Sequence, residues 1–460
     1  MDERADPVEA LTPPRPAGFL DRRFRLGERA TTLPRELVAG ATTFAAMAYI
    51  LAVNPSIMAN AGMDRGDLVI ATALAALFGS AMMGLWANLP LAVAPAMGSN
   101  VVFTYVVVKQ MGAPWQGALA MVAVTGVLFL ALSLSGLRER VARDVPEALK
   151  IGIQAAVGAL ILFIGLRGAG FIVANPSTYV AMGSLRNPAT LLTLAGILLT
   201  PVLVARRIPG ALIIAVAAIT VIGLFTPGAN GGMVTAAPAA LVAWPKWPAG
   251  TFGQLDFEWL ASHFIVALPL LFYFVCAEFF STLGTLIGVT GAADLRRADG
   301  SIPNATAAFA TDATASIVGP ILGTSVVTAY IESIAGVQAG GRTGLTALTA
   351  AALFALSLFF WPIFVIVPPQ ATAPALVVVG VLMMQGLARI DMTDFSNAAP
   401  IVLTLVVTLL ANNLIDGMAM GTLSLILILL ATGRAREISG IVWGLGAVFV
   451  AFFYVTTMLM

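Results

Sequence analysis

The chain has 460 residues, 59% of them hydrophobic and 10% charged, with a mean hydropathy of +0.95. A soluble globular domain carries about 25% charged residues, so most of this surface is made to face lipid rather than water. A net charge of +1 without basic-aromatic interleaving excludes a nucleic-acid partner, and one cysteine (Cys276) with one histidine (His263) excludes an intrachain disulfide and a cysteine-histidine metal cluster.

The first 35 residues are polar and arginine-rich and lack the short apolar core of a cleavable signal peptide, so the first span is expected to direct insertion. Apolar runs of about 17–25 residues follow, each able to cross a ~30 Å hydrocarbon layer as a helix. Predicted spans lie at 36–60, 68–87, 91–109, 117–137, 147–167, 188–205 and 210–226. After a polar stretch at 227–261, a second set lies at 262–289, 302–322, 324–340, 343–361, 372–388, 398–413 and 415–432. The last hydrophobic segment, 438–459, is either an extra span or an interfacial helix.

Basic residues fall in alternate loops: Arg22, Arg23, Arg25, Arg29 and Arg35, then Arg138, Arg140, Arg143 and Lys150, Arg206 and Arg207, Arg296 and Arg297, Arg342, Arg389, Arg434 and Arg436. The positive-inside rule then places the N-terminus on the cytoplasmic side of an inner membrane. Seven spans ending outside require the second seven to run inverted. Internal echoes agree: Gly98-Ser-Asn-Val-Val-Phe-Thr-Tyr105 with Gly323-Thr-Ser-Val-Val-Thr-Ala-Tyr330, and Asn187 and Ile208-Pro-Gly210 with Asn397 and Ile415-Asp-Gly417. The expected fold is therefore an all-α polytopic membrane protein of about fourteen transmembrane helices in a 7+7 inverted repeat.

Spans 3 and 10 are the poorest helices. Pro90, Pro95 and Gly98 open one, and Gly319, Pro320, Gly323 and Gly336 bound the other, so both are expected to be broken. Non-helical backbone at membrane depth survives where it is buried in protein or lines a polar cavity. Three intramembrane acids stand out: Glu278 in span 8, Asp312 in span 9 and Glu332 just past the break in span 10. An ionised acid at the bilayer centre costs about 2.5–3.5 kcal/mol on insertion scales, and no lysine or arginine lies within these spans. Burial without a cation favours the neutral carboxyl, which makes each a candidate for proton coupling. Asn100 offers a donor and an acceptor to a heterocycle edge, or caps the broken helix. Phe103, Phe279 and Phe280 have the spacing of packing residues, with stacking on a planar solute as the sharper reading. Asp416, near a membrane boundary, reads as a helix cap, and His263 as structural. No nucleotide-binding Gly-rich Lys-Ser/Thr motif is present, so no ATP-driven pump, no enzyme and no cofactor are expected.

Several stretches resemble the bacterial and fungal adenine/hypoxanthine/guanine permeases of the nucleobase–cation symporter superfamily. They are Thr42-Thr-Phe with Met47-Ala-Tyr-Ile-Leu and Asn54-Pro-Ser-Ile, Ala94-Pro-Ala-Met-Gly-Ser-Asn100, Gly284-Thr-Leu-Ile-Gly288, Gly323 through Gly336, and Gly340-Gly-Arg-Thr-Gly-Leu-Thr346. The resemblance implies a core domain of spans 1–4 (36–137) and 8–11 (262–361). It implies a gate domain of spans 5–7 (138–226) and 12–14 (362–432), and a homodimer in the lipid membrane. It places a nucleobase between spans 3, 8 and 10, bound by Glu278, Glu332 and Asn100, with Ser281, Thr324 and Ser325 completing the candidate set. Proton-coupled uptake of a purine-like base by alternating access is the implied activity; another heterocycle or an organic anion is the alternative. Ser281 departs from the family pattern, where an aspartate is common, as do Ala96 and Ser99, where glycine and leucine are usual.

Overall fold

The computed structural model describes residues 18–135, 146–228, 231–297 and 301–459; Arg138, Arg140 and Arg143 lie outside the described residues. Among these residues ten helices are long and apolar enough to cross a membrane. They are span 1 (Leu33–Ala61), span 2 (Arg65–Ala87), span 4 (Trp115–Ser135), span 5 (Glu147–Gly168), span 6 (Pro188–Ala205), span 8 (Phe264–Ala292), span 9 (Ala305–Leu322), span 11 (Gly344–Val365), span 12 (Pro369–Arg389) and span 14 (Leu414–Ala431). Shorter apolar helices, Ala211–Gly223 and Phe395–Ala411, stand at the places of spans 7 and 13. The C-terminal segment is a helix, Gly440–Leu459, packed on span 14 and touching span 8.

Spans 3 and 10 are the exceptions. Strand β1 (Val93–Pro95) pairs antiparallel with β2 (Val327–Ala329) in the register Val93↔Ala329, Ala94↔Thr328, Pro95↔Val327. Pro90 and Pro95 lack the N–H that a helix needs, and Gly323 takes φ +94 to end span 9. Each strand thus supplies the backbone partners that the other would lack in hydrocarbon. Ala96 N–H donates to Val326 O at 2.8 Å and Tyr330 N–H to Ala92 O at 3.0 Å, which extends the ladder at both ends. Beyond β1 a short helix, Met97–Val101, continues as a π-helical stretch, Val102–Gln110; beyond β2 runs Ser333–Gln338. Two half-helices therefore start at the middle of the fold and run to opposite faces. We call the face where span 1 begins proximal and the other distal.

Packing groups spans 1, 2, 4, 9 and 11 around the strand pair, with span 8 against span 4 and β2; spans 5, 6, 7, 12, 13 and 14 pack mainly on one another. On the proximal face the Gly340–Thr346 motif joins span 1. Glu36, wholly buried, accepts N–H bonds from Arg342 (2.9 Å), Thr343 (3.3 Å) and Thr346 (3.1 Å) and the Thr346 hydroxyl (2.6 Å). On the distal face the 224–256 connection is laced to spans 2, 4 and 9. Gly250 N–H donates to Asp67, Asp256 N–H to Gln116 O, and Gly253 N–H to Ile321 O.

Local caps differ from the sequence pattern in detail. Asn187 caps span 6, whereas Asp394 rather than Asn397 caps span 13. Asn413 caps span 14, and Asp416 accepts from the Asn413 amide at 2.9 Å. Lys150 lies in the first turn of the span 5 helix, not in a connecting loop.

Candidate functional site

Three polar clusters surround the strand pair. Spans 8 and 9 carry the first. Glu278 is 1% exposed; its Oε1 accepts from Ser316, and its Oε2 has no hydrogen-bond partner among the described residues. Ser316 Oγ also lies 2.7 Å from Val327 O and accepts from Val327 N–H at 3.3 Å. Thr282 and Thr328 (3.0 Å) donate to Asp312 Oδ2, and Asp312 Oδ1 is unpartnered among the described residues. Thr285 Oγ1 reaches Ala329 O at 3.4 Å. One face of span 8 (278, 282, 285) thus steps along β2 in order, facing the i, i+4 pair Asp312 and Ser316 of span 9.

The second cluster holds Asn100. Its amide donates to Asn54 Oδ1, and Asn54 Nδ2 donates to Thr72 (2.7 Å) and Thr324 (3.0 Å). All four side chains are buried. Asn100 Oδ1 and the neighbouring Ser325 Oγ are buried and unpartnered among the described residues. Thr324 is occupied, since its hydroxyl also contacts Met58 Sδ at 3.7 Å.

Glu332 forms the third. It is half-buried at the start of the Ser333–Gln338 half-helix and accepts from Tyr49 OH at 2.8 Å. Its neighbour Ile331 lies 2.8 Å from where a Cβ on Gly288 would project, ten residues along span 8 from Glu278. Roughly 15 Å of helical rise separates the two levels. The structure therefore brings Glu278 and Asp312 into one cluster and gives Glu332 and Asn100 separate partners.

Ser281 is exposed, and no atom lies within 4 Å of a Cβ placed on Gly284, so this side of span 8 borders open space. Phe103 is buried, and Phe279 stacks on Phe309 at 5.7 Å and meets Phe129 edge-on at 6.4 Å; both are packing residues. Phe280 carries Lys150 Nζ 4.6 Å above its ring. His263 is stacked on Trp259 at the distal face, and no group of three or more metal-ligating side chains occurs among the described residues.

Sequence reasoning passed over Thr282, Ser316, Thr328, Tyr49, Asn54 and Glu36. Helical spacing alone points to two of them, because Thr282 and Ser316 stand four residues after Glu278 and Asp312. The others meet their partners only across the fold.

These features define a class: an integral membrane transporter built as a 7+7 inverted repeat whose two broken spans pair through short antiparallel strands. The fold is similar to the transmembrane domain of a cyanobacterium bicarbonate transporter, BicA, with a TM-score of 0.58 and 18% identity over 82% of this chain and 97% of that one. It is also similar to murine Slc26a9, an anion transporter in the inward-facing state, with a TM-score of 0.62 and 13% identity over 92% and 74%. At such identities the likeness concerns the fold alone. The chain belongs to the Permease family (Xan_ur_permease), whose profile matches residues 34–420. Among its relatives, adenine permease AdeP of Escherichia coli is 39% identical over 92% of this chain and 93% of that protein. Guanine/hypoxanthine permease PbuO of Bacillus subtilis is 38% identical over 91% and 96%. These relatives are permeases, not enzymes.

Proposed function

We propose that the protein takes up a purine-like nucleobase through the bacterial inner membrane by proton-coupled alternating access. The observation that carries this reading is the set of buried, unpartnered oxygens at the strand crossing: Glu278 Oε2, Asp312 Oδ1, Asn100 Oδ1 and Ser325 Oγ. Buried oxygens of this kind are ordinarily hydrogen-bonded, so a donor-bearing solute is the natural complement. A nucleobase presents ring and exocyclic N–H groups to such acceptors, and the relatives AdeP and PbuO bear the names of purine permeases.

Spans 1–4 and 8–11 act as the core that holds the base, and spans 5–7 and 12–14 as the gate against which it moves. Glu278 and Asp312 bind and exchange the coupling proton; Ser316 supports this role. Its single hydroxyl hydrogen serves either Glu278 Oε1 or Val327 O, and a proton on Glu278 lets both contacts be hydrogen bonds at once. Asn100, Ser281, Thr324 and Ser325 complete the binding set, and Glu332, held by Tyr49, receives the base on the proximal side; the proximal face is cytoplasmic, and the working unit is a homodimer in lipid.

The test is uptake of radiolabelled adenine, guanine, hypoxanthine, xanthine and uracil into proteoliposomes, with imposed pH or sodium gradients. We expect a purine to accumulate down an inward proton gradient and Glu278→Gln to abolish accumulation. Uptake of no base refutes the substrate. Accumulation driven by sodium at symmetrical pH, and insensitive to a protonophore, refutes the coupling.

A further inference from the structure

Span 5 carries a glutamine, Gln154, within the run between Lys150 and Arg167 that is otherwise free of polar side chains, and it is exposed. The surrounding packing says what it is exposed to. At about 100° per residue, Lys150, Gln154 and Val157 fall on one stripe roughly 60° wide. Lys150 sits over the Phe280 ring of span 8, and Val157 Cγ1 lies 3.2 Å from where a Cβ on Gly98 would project. The stripe therefore looks across at span 8 and at the half-helix that follows β1. On its other flank, a Cβ on Gly158 would meet Gly380 O at 2.7 Å and Met383 Cβ at 2.9 Å, so span 12 covers that side. Gly152, on the far side of the helix, packs on Ile401 of span 13. Gln154 has protein on both flanks, so its open side is the cleft between the two groups of spans. Exposed Ser281 borders that cleft from span 8. The Gln154 amide has no hydrogen-bond partner among the described residues.

We propose that Gln154 contacts the transported base from the gate side and discriminates its 6-position. This rests on the nucleobase reading above. The first cluster around β2 is rich in acceptors, so it can satisfy the N–H groups of a base but not its ring nitrogens or carbonyl oxygens. A glutamine amide offers one donor beside one acceptor. That pair matches a 6-aminopurine, whose N7 accepts and whose exocyclic amine donates. A 6-oxopurine presents two acceptors on the same edge, so the glutamine carbonyl would face the purine oxygen. Gln154 therefore favours a 6-amino over a 6-oxo base. A lysine at this position, with donors only, would reverse the preference.

Equilibrium binding of tritiated adenine and hypoxanthine to the purified full-length protein, by scintillation proximity, tests this. The readout is the ratio of the two dissociation constants, which does not depend on how much of each variant is folded. Gln154→Leu is expected to shift the ratio against adenine by about tenfold, and Gln154→Lys further in the same direction. An unchanged ratio in both variants overturns the proposal, and so does an equal loss of both bases, because a purely structural role weakens them together. If the unmodified protein binds neither purine, the nucleobase reading fails, and this inference falls with it. A parent that binds purines and variants with an unshifted ratio refute this inference alone.

Discussion

Glu36 is a buried carboxylate for which transport chemistry has no use, and its environment says what its removal does. Oε1 takes one hydrogen bond, from Arg342 N–H, while Oε2 takes three, from Thr343 N–H, Thr346 N–H and the Thr346 hydroxyl. Thr343 is the N-cap of span 11, so the acid satisfies donors at the start of that helix and ties it to span 1. In Glu36→Gln the carbonyl oxygen can replace Oε2 and keep its three bonds, but the amide nitrogen then faces the Arg342 N–H. One bond to a charged acceptor is lost and a buried donor is stranded, at a cost of about 1.5–3 kcal/mol. Glu36→Ala strands all four donors, and each buried donor left without an acceptor costs about 1–3 kcal/mol, so it costs more than Gln. Thermal unfolding in detergent should rank the parent above Gln and Gln above Ala. Purine uptake should fall in the same order, because span 1 also carries Tyr49, the partner of Glu332. An alanine variant that unfolds at the parent temperature would refute the account.

Three further outcomes follow from the packing. A Cβ on Gly336 would lie 2.5 Å from Ala39 O and also meet Thr43, so Gly336→Ala should push the span 10 half-helix off span 1 at a cost of about 1–3 kcal/mol. Melting temperature and purine uptake should drop together, and a silent variant would refute the close approach. Ser281→Asp puts an acceptor-only group beside the open side of span 8 and should tighten purine binding in competition assays; unchanged affinity would remove Ser281 as a determinant. On the distal face, Lys246 lies 3.0 Å from Asp67 and 3.4 Å from Asp64, in partly exposed pairs worth about 1 kcal/mol or less. Desolvation opposes the charge on Asp64, but the Asp67 amide and the Lys246 ammonium outweigh it and hold the carboxyl below its ordinary value of 3.8. Stability from a depressed acid is present above its unfolded pKa and lost as pH falls through the folded one. Melting curves of the parent and Lys246→Met should therefore differ at neutral pH and converge on acidification below 3.8; a constant gap would refute the linkage.

Legibility followed sequence distance. The breaks in spans 3 and 10 were readable because Pro90, Pro95, Gly98, Pro320 and Gly323 act on their own local backbone. Glu278 and Asp312 were readable because an acid in an apolar run is conspicuous whatever surrounds it. The strand pair was not, since nothing local says that two interrupted helices will satisfy each other in the register Val93↔Ala329. The partners of Asn54, Tyr49 and Glu36 were hidden for the same reason. Tyr49 and Glu332 are 283 residues apart, and Glu36 and Arg342 are 306 apart, so each looks like an ordinary residue until the halves interlock. Thr324 stands at the break, and nothing local says that its hydroxyl will accept from Asn54.

On the function proposed above, the inventory around β2 would link substrate and coupling. Its acceptors are both oxygens of Glu278, both of Asp312 and the Val327 carbonyl; its donors are the Ser316, Thr282 and Thr328 hydroxyls and the Val327 N–H. Both threonine hydroxyls are aimed at Asp312 Oδ2, which leaves Oδ1 and Glu278 Oε2 without a partner among the described residues. What completes such a cluster must bring hydrogen. A proton does so at one carboxyl, and the N–H edge of a base does so at another. Lys150, which approaches span 8 from span 5, is held over the face of Phe280 on the opposite wall of the cleft. Base and proton thus answer the same shortage of donors. Filling one oxygen lowers the cost of burying the cluster while the other is being filled, and that shared deficit is a physical basis for moving the two together.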